Sequence, residues 1–234
     1  MECQVKSYAK LNLGLEIVGK RPDGYHLLKS VFQTIDLYDD IHIRRNRSGQ
    51  LNLKGNLEEI PWDERNIIAK VFRRMAEDYG IETGFDIDVF KRIPAGSGLG
   101  GGSSNGAVVL LFIDRYFQLN LDQKKLIEIG AEIGADIPFF LVGGTVLVEG
   151  IGEILSPIED ITEKQFGIVI PDIHVSTGLI FSKLNLTSTQ IKSTINIFLD
   201  SGDFRVLGNM LEDVSFGLFP EIKEIRDEME KVLE

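Results

Sequence analysis

From position 5 to position 17, apolar residues recur at alternate positions: Val5, Ala9, Leu11, Leu13, Leu15 and Ile17. A period of two predicts a strand with one buried face, leaving Lys6, Tyr8, Lys10 and Asn12 on the other. A turn rich in Gly and Pro follows at 19–24, then a second alternating run at 31–37. Shorter strands are predicted at 41–43, 51–53, 85–89, 145–148 and 168–170. Ile67, Val71, Met75 and Tyr79 recur at four-residue steps and predict a helix over 66–79. Further helices are predicted from Ser103 or Ser104 to Phe117, over 123–133 behind an Asp122 cap, and over 177–184, 189–199 and 220–233. Clustered strands mixed with helices point to an α+β fold rather than a strictly alternating doubly wound one. A plausible domain border lies in the turn at 149–153.

The strongest chemical signal lies between the 85–89 strand and the helix that starts near Ser103. It reads Lys91-Arg92-Ile93-Pro94-Ala95-Gly96-Ser97-Gly98-Leu99-Gly100-Gly101-Gly102-Ser103-Ser104-Asn105. Glycines let the backbone take positive φ and approach a ligand closely. A helix start adds unpaired N–H donors and the positive end of its dipole, which together suit a triphosphate. Ser103 and Ser104 offer hydroxyls for phosphate or Mg²⁺. Gly96, Gly98 and Gly101 also match G-x-G-x-x-G, but the loop sits in mid-chain, and the next fitting stretch is helical where a dinucleotide fold requires a second strand ending in an acidic residue. Gly-Lys-Ser/Thr, H-R-D and D-F-G are absent, which excludes a Walker loop and a protein kinase. Gly96–Gly100 has Gly98 rather than Ser at its centre and so is not a Gly-x-Ser-x-Gly elbow, and Ser97, Ser103 and Ser104 lack a His/Asp context, which argues against a hydrolase.

The net charge of −11 argues against nucleic acid or an anionic membrane as a partner, though a local nest of amides can still hold phosphate on an acidic protein. Cys3 is the single cysteine, so no intrachain disulfide forms, which suits a reducing cytoplasm. The N-terminus lacks the basic-then-apolar pattern of a signal peptide. The longest apolar run, 137–148, holds Pro138, Gly143 and Gly144 and is too short to span a bilayer as a helix. His42 and His174 have no partners at metal-ligand spacing and read as ordinary.

Residues 94–105 resemble the phosphate loop of the GHMP kinase superfamily. Three more segments narrow the resemblance: Ala9-Lys10-Leu11-Asn12-Leu13-Gly14-Leu15, Gly19-Lys20-Arg21-Pro22-Asp23-Gly24-Tyr25-His26 and Ile35-Asp36-Leu37-Tyr38-Asp39. With Gly134-Ala135-Asp136-Ile137-Pro138-Phe139-Phe140, they are similar to the 4-diphosphocytidyl-2-C-methyl-D-erythritol kinase family. The similarity runs from about Tyr8 to Phe181 and more faintly beyond. It implies two α+β domains, 1–152 and 153–234, with the active site in the cleft between them. It further implies ATP- and Mg²⁺-dependent phosphorylation of the 2-hydroxyl of a small-molecule substrate carrying a cytidine diphosphate, in isoprenoid precursor synthesis. Monomer and homodimer both remain open.

Phosphoryl transfer to an alcohol needs a held phosphate, an oriented hydroxyl and a destination for its proton. Pro94, Ala95, Gly96, Ser97, Gly98, Leu99, Gly100, Gly101, Gly102, Ser103 and Ser104 form the phosphate site, with Ser104 also the candidate metal ligand. Asp136 is the candidate base; its local sequence, with Pro138 two residues on, equally fits a helix N-cap. Lys10 is the candidate electrostatic partner, where a strand lysine is otherwise usually solvated. The resemblance raises Lys10 and Asp136 to catalytic residues and Asn12 to a substrate contact. It makes Tyr25, His26, Thr177 and Phe181 the cytosine-binding wall, although each also has a packing explanation. Asn66 stands either near adenine or simply at a helix start.

In two places the sequence departs from the family pattern. Gly106 stands where Ala is common, weakening the helix start by about 1 kcal/mol at most. The short Gly/Ser loop usual near the C-terminus of GHMP kinases is not found before Glu234. Two alternatives stand beside this reading: another GHMP-type small-alcohol kinase, which the Tyr25-His26 segment with Phe181 discriminates, or a nucleotide-binding protein inactive through loss of the third motif.

Overall fold

The structure, a computed structural model, describes residues 2–161, 164–173, 175–184 and 193–233. His174 and the first four residues of the helix expected over 189–199 lie outside the described residues, as does the side chain of Thr177. The elements run β1 (Glu2–Lys20), β2 (His26–Arg45), β3 (Leu51–Gly55), α1 (Ile67–Tyr79), β4 (Phe85–Phe90), α2 (Gly101–Phe117), α3 (Gln123–Ile133), α4 (Ile137–Val142), β5 (Thr145–Gly150) and β6 (Ile154–Pro157). They continue with α5 (Thr177–Lys183), α6 (Thr194–Ser201), a 3₁₀ turn (Phe204–Val206), α7 (Glu212–Leu218) and α8 (Pro220–Leu233). This is the α+β class that the sequence indicated.

Six strands form one sheet in the order β3-β4-β2-β5-β6, with β1 paired to β2. β2 and β4 are antiparallel, with Ile41 opposite Val89 and Ile43 opposite Ile87. β3 and β4 are parallel, with α1 as their crossover. The chain divides into two compact units. The first is Met1–Leu11, Phe32–Val148 and Gly152–Asp160; the second is Asn12–Val31, Glu149–Ile151 and Ile161–Glu234. β1 and β2 are long enough to contribute to both.

In the first unit, α1 and α2 bury their apolar faces against β2 and β4. Ile68, Val71 and Met75 of α1 meet Val109, Leu110 and Ile113 of α2 over Ile41, Ile43, Phe85 and Ile87. Each such side chain contributes about 1.5–3 kcal/mol on burial. Asn66 caps α1, accepting from the Ile68 amide (3.0 Å), and Gly80 closes it in the left-handed region at φ 63°. Asp122 caps α3 as expected, accepting from the Lys125 amide (2.7 Å).

The second unit buries Leu15, Ile17, Val31, Ile180, Ile195 and Phe198. Here β1 also forms an isolated parallel bridge to Asn209: the Leu15 amide donates to the Gly208 carbonyl (2.9 Å), and the Met210 amide donates to the Leu15 carbonyl (2.9 Å). Glu16, on the same strand, supplies the N-terminus of α6 with a tertiary cap. It accepts from the Ile195 amide (3.0 Å) and from the hydroxyls of Ser193 (2.7 Å) and Thr194 (2.9 Å).

The strand expected at 168–170 does not form. Ile168, Val169 and Ile170 are exposed, and no described strand pairs with them, so an apolar run alone does not supply a ladder. β6, α4 and α7 are shorter than the periodicity resolves. Among the described residues, no helix is long and apolar enough to cross a membrane.

Candidate active site

The glycine-rich loop has the backbone its composition requires. Gly96 (φ 69°), Gly98 (φ 77°) and Gly100 (φ 73°) all lie in the left-handed region. Gly100 is doubly constrained, because a Cβ there would sit 2.7 Å from Phe140 Cζ and 3.2 Å from Lys10 Cγ. The helix starts at Gly101, two residues before the serines, so three glycines and not a serine cap open the N-terminus. Ser97 is turned inward on its own loop, its hydroxyl donating to the Pro94 carbonyl (2.7 Å). Residues 94–103 line a cavity of about 400 Å³, together with Ile60, Pro61, Trp62, Asn66 and Asp136.

Lys10 breaks the strand alternation that placed it on a solvated face. It is 4% exposed, its ammonium lies over the Phe32 ring (4.3 Å) and 3.6 Å from Asp136 Oδ2, and its amide donates to the Leu99 carbonyl (3.0 Å). Burial pushes its pKa below the ordinary lysine value, and the nearby carboxylate of Asp136 pulls it partly back. Asp136 takes the N-cap position of α4 but makes no capping bond with its side chain. The carboxylate instead faces Lys10 and the cavity, 35% exposed. Lys10, Asp136 and the glycine loop are therefore brought together in the first unit.

Ser104 is placed differently from expectation. It is 2% exposed, accepts from the Ser7 hydroxyl (2.7 Å) and does not line the cavity. Ser103 does line it, because successive residues on a helix point about 100° apart. Asn66 lines the cavity as well, while its side chain serves as the α1 cap and donates to the Pro61 carbonyl (2.8 Å). In the second unit His26 and Phe181 stack at 5.4 Å with planes 34° apart. Tyr25 is 62% exposed and Asn12 is exposed on β1.

Sequence reasoning gave no role to Ser7, Asp39 and the Lys91 side chain, which are buried at the base of the loop, with Lys91 and Asn105 also lining the cavity. Their signal was faint: polar residues at strand positions otherwise reserved for apolar ones.

The GHMP kinases N terminal domain family matches residues 66–144. A 4-diphosphocytidyl-2-C-methyl-D-erythritol kinase of Clostridium kluyveri is 38% identical over 232 residues, 96% of this chain and 82% of its own length. Its namesake from Caldicellulosiruptor saccharolyticus is 37% identical over 96% of this chain and 80% of its own. The chain belongs to the 4-diphosphocytidyl-2-C-methyl-D-erythritol kinase family. A crystal structure titled 4-(cytidine 5'-diphospho)-2C-methyl-D-erythritol kinase superposes with a TM-score of 0.78 at 29% identity, over 98% of this chain and 83% of that one. Homoserine kinase from Cytophaga hutchinsonii shares the fold at a TM-score of 0.55 and 19% identity.

For a kinase of this family the donor set fits a nucleotide phosphate held on a magnesium ion. Left-handed glycines leave Gly96 and Gly98 with open space where side chains would stand, as a close backbone approach to phosphate requires. Among the described residues, no group of three or more His, Cys, Asp or Glu is placed to hold a metal ion. Mg²⁺ does not need one, since it commonly binds through substrate phosphates, waters and one or two protein oxygens.

Proposed function

We propose that this chain transfers the γ-phosphoryl group of ATP to the 2-hydroxyl of 4-diphosphocytidyl-2-C-methyl-D-erythritol, in the cytoplasm, as a step of the non-mevalonate isoprenoid precursor pathway. One observation carries the catalytic part of the assignment: an uncapped carboxylate lines a glycine-rich cavity, with a buried ammonium 3.6 Å behind it.

In this proposal the amides of residues 96–103 receive the triphosphate, and the cavity end at Ile60, Pro61 and Trp62 takes the adenine. Asp136 orients the acceptor hydroxyl and takes its proton. Lys10, its ammonium over the Phe32 ring and close to Asp136, offsets charge developing at the transferred group. Mg²⁺, bound through the phosphates and the Ser103 hydroxyl, would neutralise phosphate charge. His26 and Phe181 supply aromatic faces for a cytosine, with Tyr25, Thr177 and Asn12 as further substrate contacts. Residues 1–152 serve as the ATP-binding domain and 153–234 as its companion.

Incubating the chain with ATP, Mg²⁺ and the cytidine substrate, followed by ³¹P NMR, tests this. The expected product carries a new phosphate monoester on the erythritol unit alongside an intact diphosphate. ADP release without that ester, or phosphorylation of other small alcohols in preference to the cytidine compound, overturns the substrate assignment.

A further inference from the structure

One carboxylate holds both ends of the glycine loop. Asp39, on β2, is fully buried. Its Oδ1 accepts from the backbone N–H groups of Arg92 (2.8 Å) and Ile93 (2.9 Å), the stem that enters the loop. Its Oδ2 accepts from the Lys91 ammonium and from Asn105 Nδ2 (2.9 Å). Asn105 lies in the second turn of α2, where the chain leaves the loop. Lys91 also donates to Asn105 Oδ1 (3.1 Å), and Asn105 Nδ2 reaches Ser7 Oγ (2.9 Å). Ser7 in turn donates to Ser104 (2.7 Å). Among the described residues, no buried side-chain nitrogen or oxygen lacks a partner, and a fully satisfied buried network of this kind is rigid.

Stability alone does not account for it. A buried ion pair is often no more stabilising than apolar side chains of similar volume, and Ile93, Leu99 and Ala9 already form a small apolar core under this loop. What the pair supplies is a fixed spacing between the loop's stem and the first turns of α2. Lys91 Nζ lies 3.0 Å from where a Cβ on Gly101 would stand, so the ammonium sits against the first residue of that helix.

We propose that Asp39 is a positioning residue for the nucleotide: through Lys91 and Asn105 it sets the spacing between the loop's stem and the start of α2, and so aims the amides that receive the triphosphate. This rests on the assignment of the loop as a triphosphate cradle.

Asp39→Asn and Asn105→Ala cut the clamp from opposite sides, and Lys91→Arg conserves its charge. Calorimetric ATP binding with Mg²⁺, KM for each substrate and thermal melting are measured on each. Asp39→Asn and Asn105→Ala should each weaken ATP binding and raise its KM about tenfold while leaving KM for the cytidine substrate unchanged. Lys91→Arg should stay within about threefold of wild type. A folded Asp39→Asn protein with lowered melting temperature but wild-type ATP affinity reduces the clamp to a structural role and overturns the proposal. If Asp39→Asn does not fold, Ser7→Ala cuts the uncharged end, and an ATP affinity unchanged there overturns it equally. Wild-type protein that binds no ATP removes the cradle assignment itself, whereas ATP binding that the variants leave intact removes only the clamp.

Discussion

The base of the glycine loop and the His26–Phe181 pair are built by different physics. Under the loop, Asp39, Lys91 and Asn105 are buried and tied to one another by hydrogen bonds, and Ser7, buried too, links Asn105 to the buried Ser104. In the second unit, two half-buried rings stack at 5.4 Å beside a Tyr25 that is 62% exposed. A transferring phosphoryl group rewards dipoles fixed before it arrives, because fixed dipoles need no reorganisation during the reaction. A nucleobase presents a flat π-face that stacks on aromatics with little demand on exact placement. The rigid region therefore suits charge, and the loosely built one suits recognition.

The contrast breaks most readily at Asp136. Asp136→Asn should lower kcat by about 10²- to 10⁴-fold while the fold stays intact by circular dichroism. Lys10→Met should lower kcat comparably without lowering the melting temperature, because burial already works against its charge. A severely destabilised Lys10→Met protein would show that Lys10 holds the fold rather than the reaction. In the wild type, kcat should fall on the alkaline side at a pH below 10.5, since burial lowers the Lys10 pKa from that value. Between the lowered value and 10.5 the unfolded chain binds more protons at Lys10, so its contribution to stability rises with pH across that window.

Phe181→Ala sharpens the other half. Losing one stacking face should raise KM for the cytidine substrate about 5- to 100-fold and leave KM for ATP unchanged. Equal changes in both would mean that the ring supports the fold as a whole.

Within the loop, Gly100→Ala should raise KM for ATP more than Gly98→Ala. Both glycines have positive φ, which costs a side chain roughly 1–2 kcal/mol, but only at Gly100 would the new Cβ also meet Phe140 at 2.7 Å. Steady-state kinetics of the two variants side by side decide this, and a larger effect at Gly98 would show that loop flexibility matters more than packing.

The smallest effect is expected at Glu16. Burial pushes its carboxyl pKa up, but hydrogen bonds from Ser193, Ile195 and Thr194 outweigh it and hold the value below 4.5. The folded state therefore favours the ionised form. Its stabilisation is present above pH 4.5 and fades as the pH drops through the lowered value. Screened by solvent, it should amount to a melting-temperature loss of about 2 °C for Glu16→Gln at neutral pH, closing in acid. A gap that persists at low pH would tie the residue's effect to packing rather than charge.

The sequence by itself determined the repeating local features. Period two gave β1 and β2, period 3.6 gave α1, and Asp122 marked the start of α3, while α2 begins at Gly101 rather than at the expected Ser103 or Ser104; caps, turns and amphipathic faces are properties of neighbours along the chain. It also brought Lys10, Asp136 and the loop forward as candidates, through residue type and motif resemblance. Only the tertiary structure decided which polar groups lie together. It withdrew Ser104 into a buried pair with Ser7, freed the Asp136 side chain from its cap, and sank Lys10 under Phe32. It left 168–170 without a strand and set Asp39, fifty residues upstream, beneath the loop. Contacts between residues far apart in sequence carry no periodic signature, and burial, which gives each buried charge its pKa and each hydroxyl its partner, exists only once those contacts have formed.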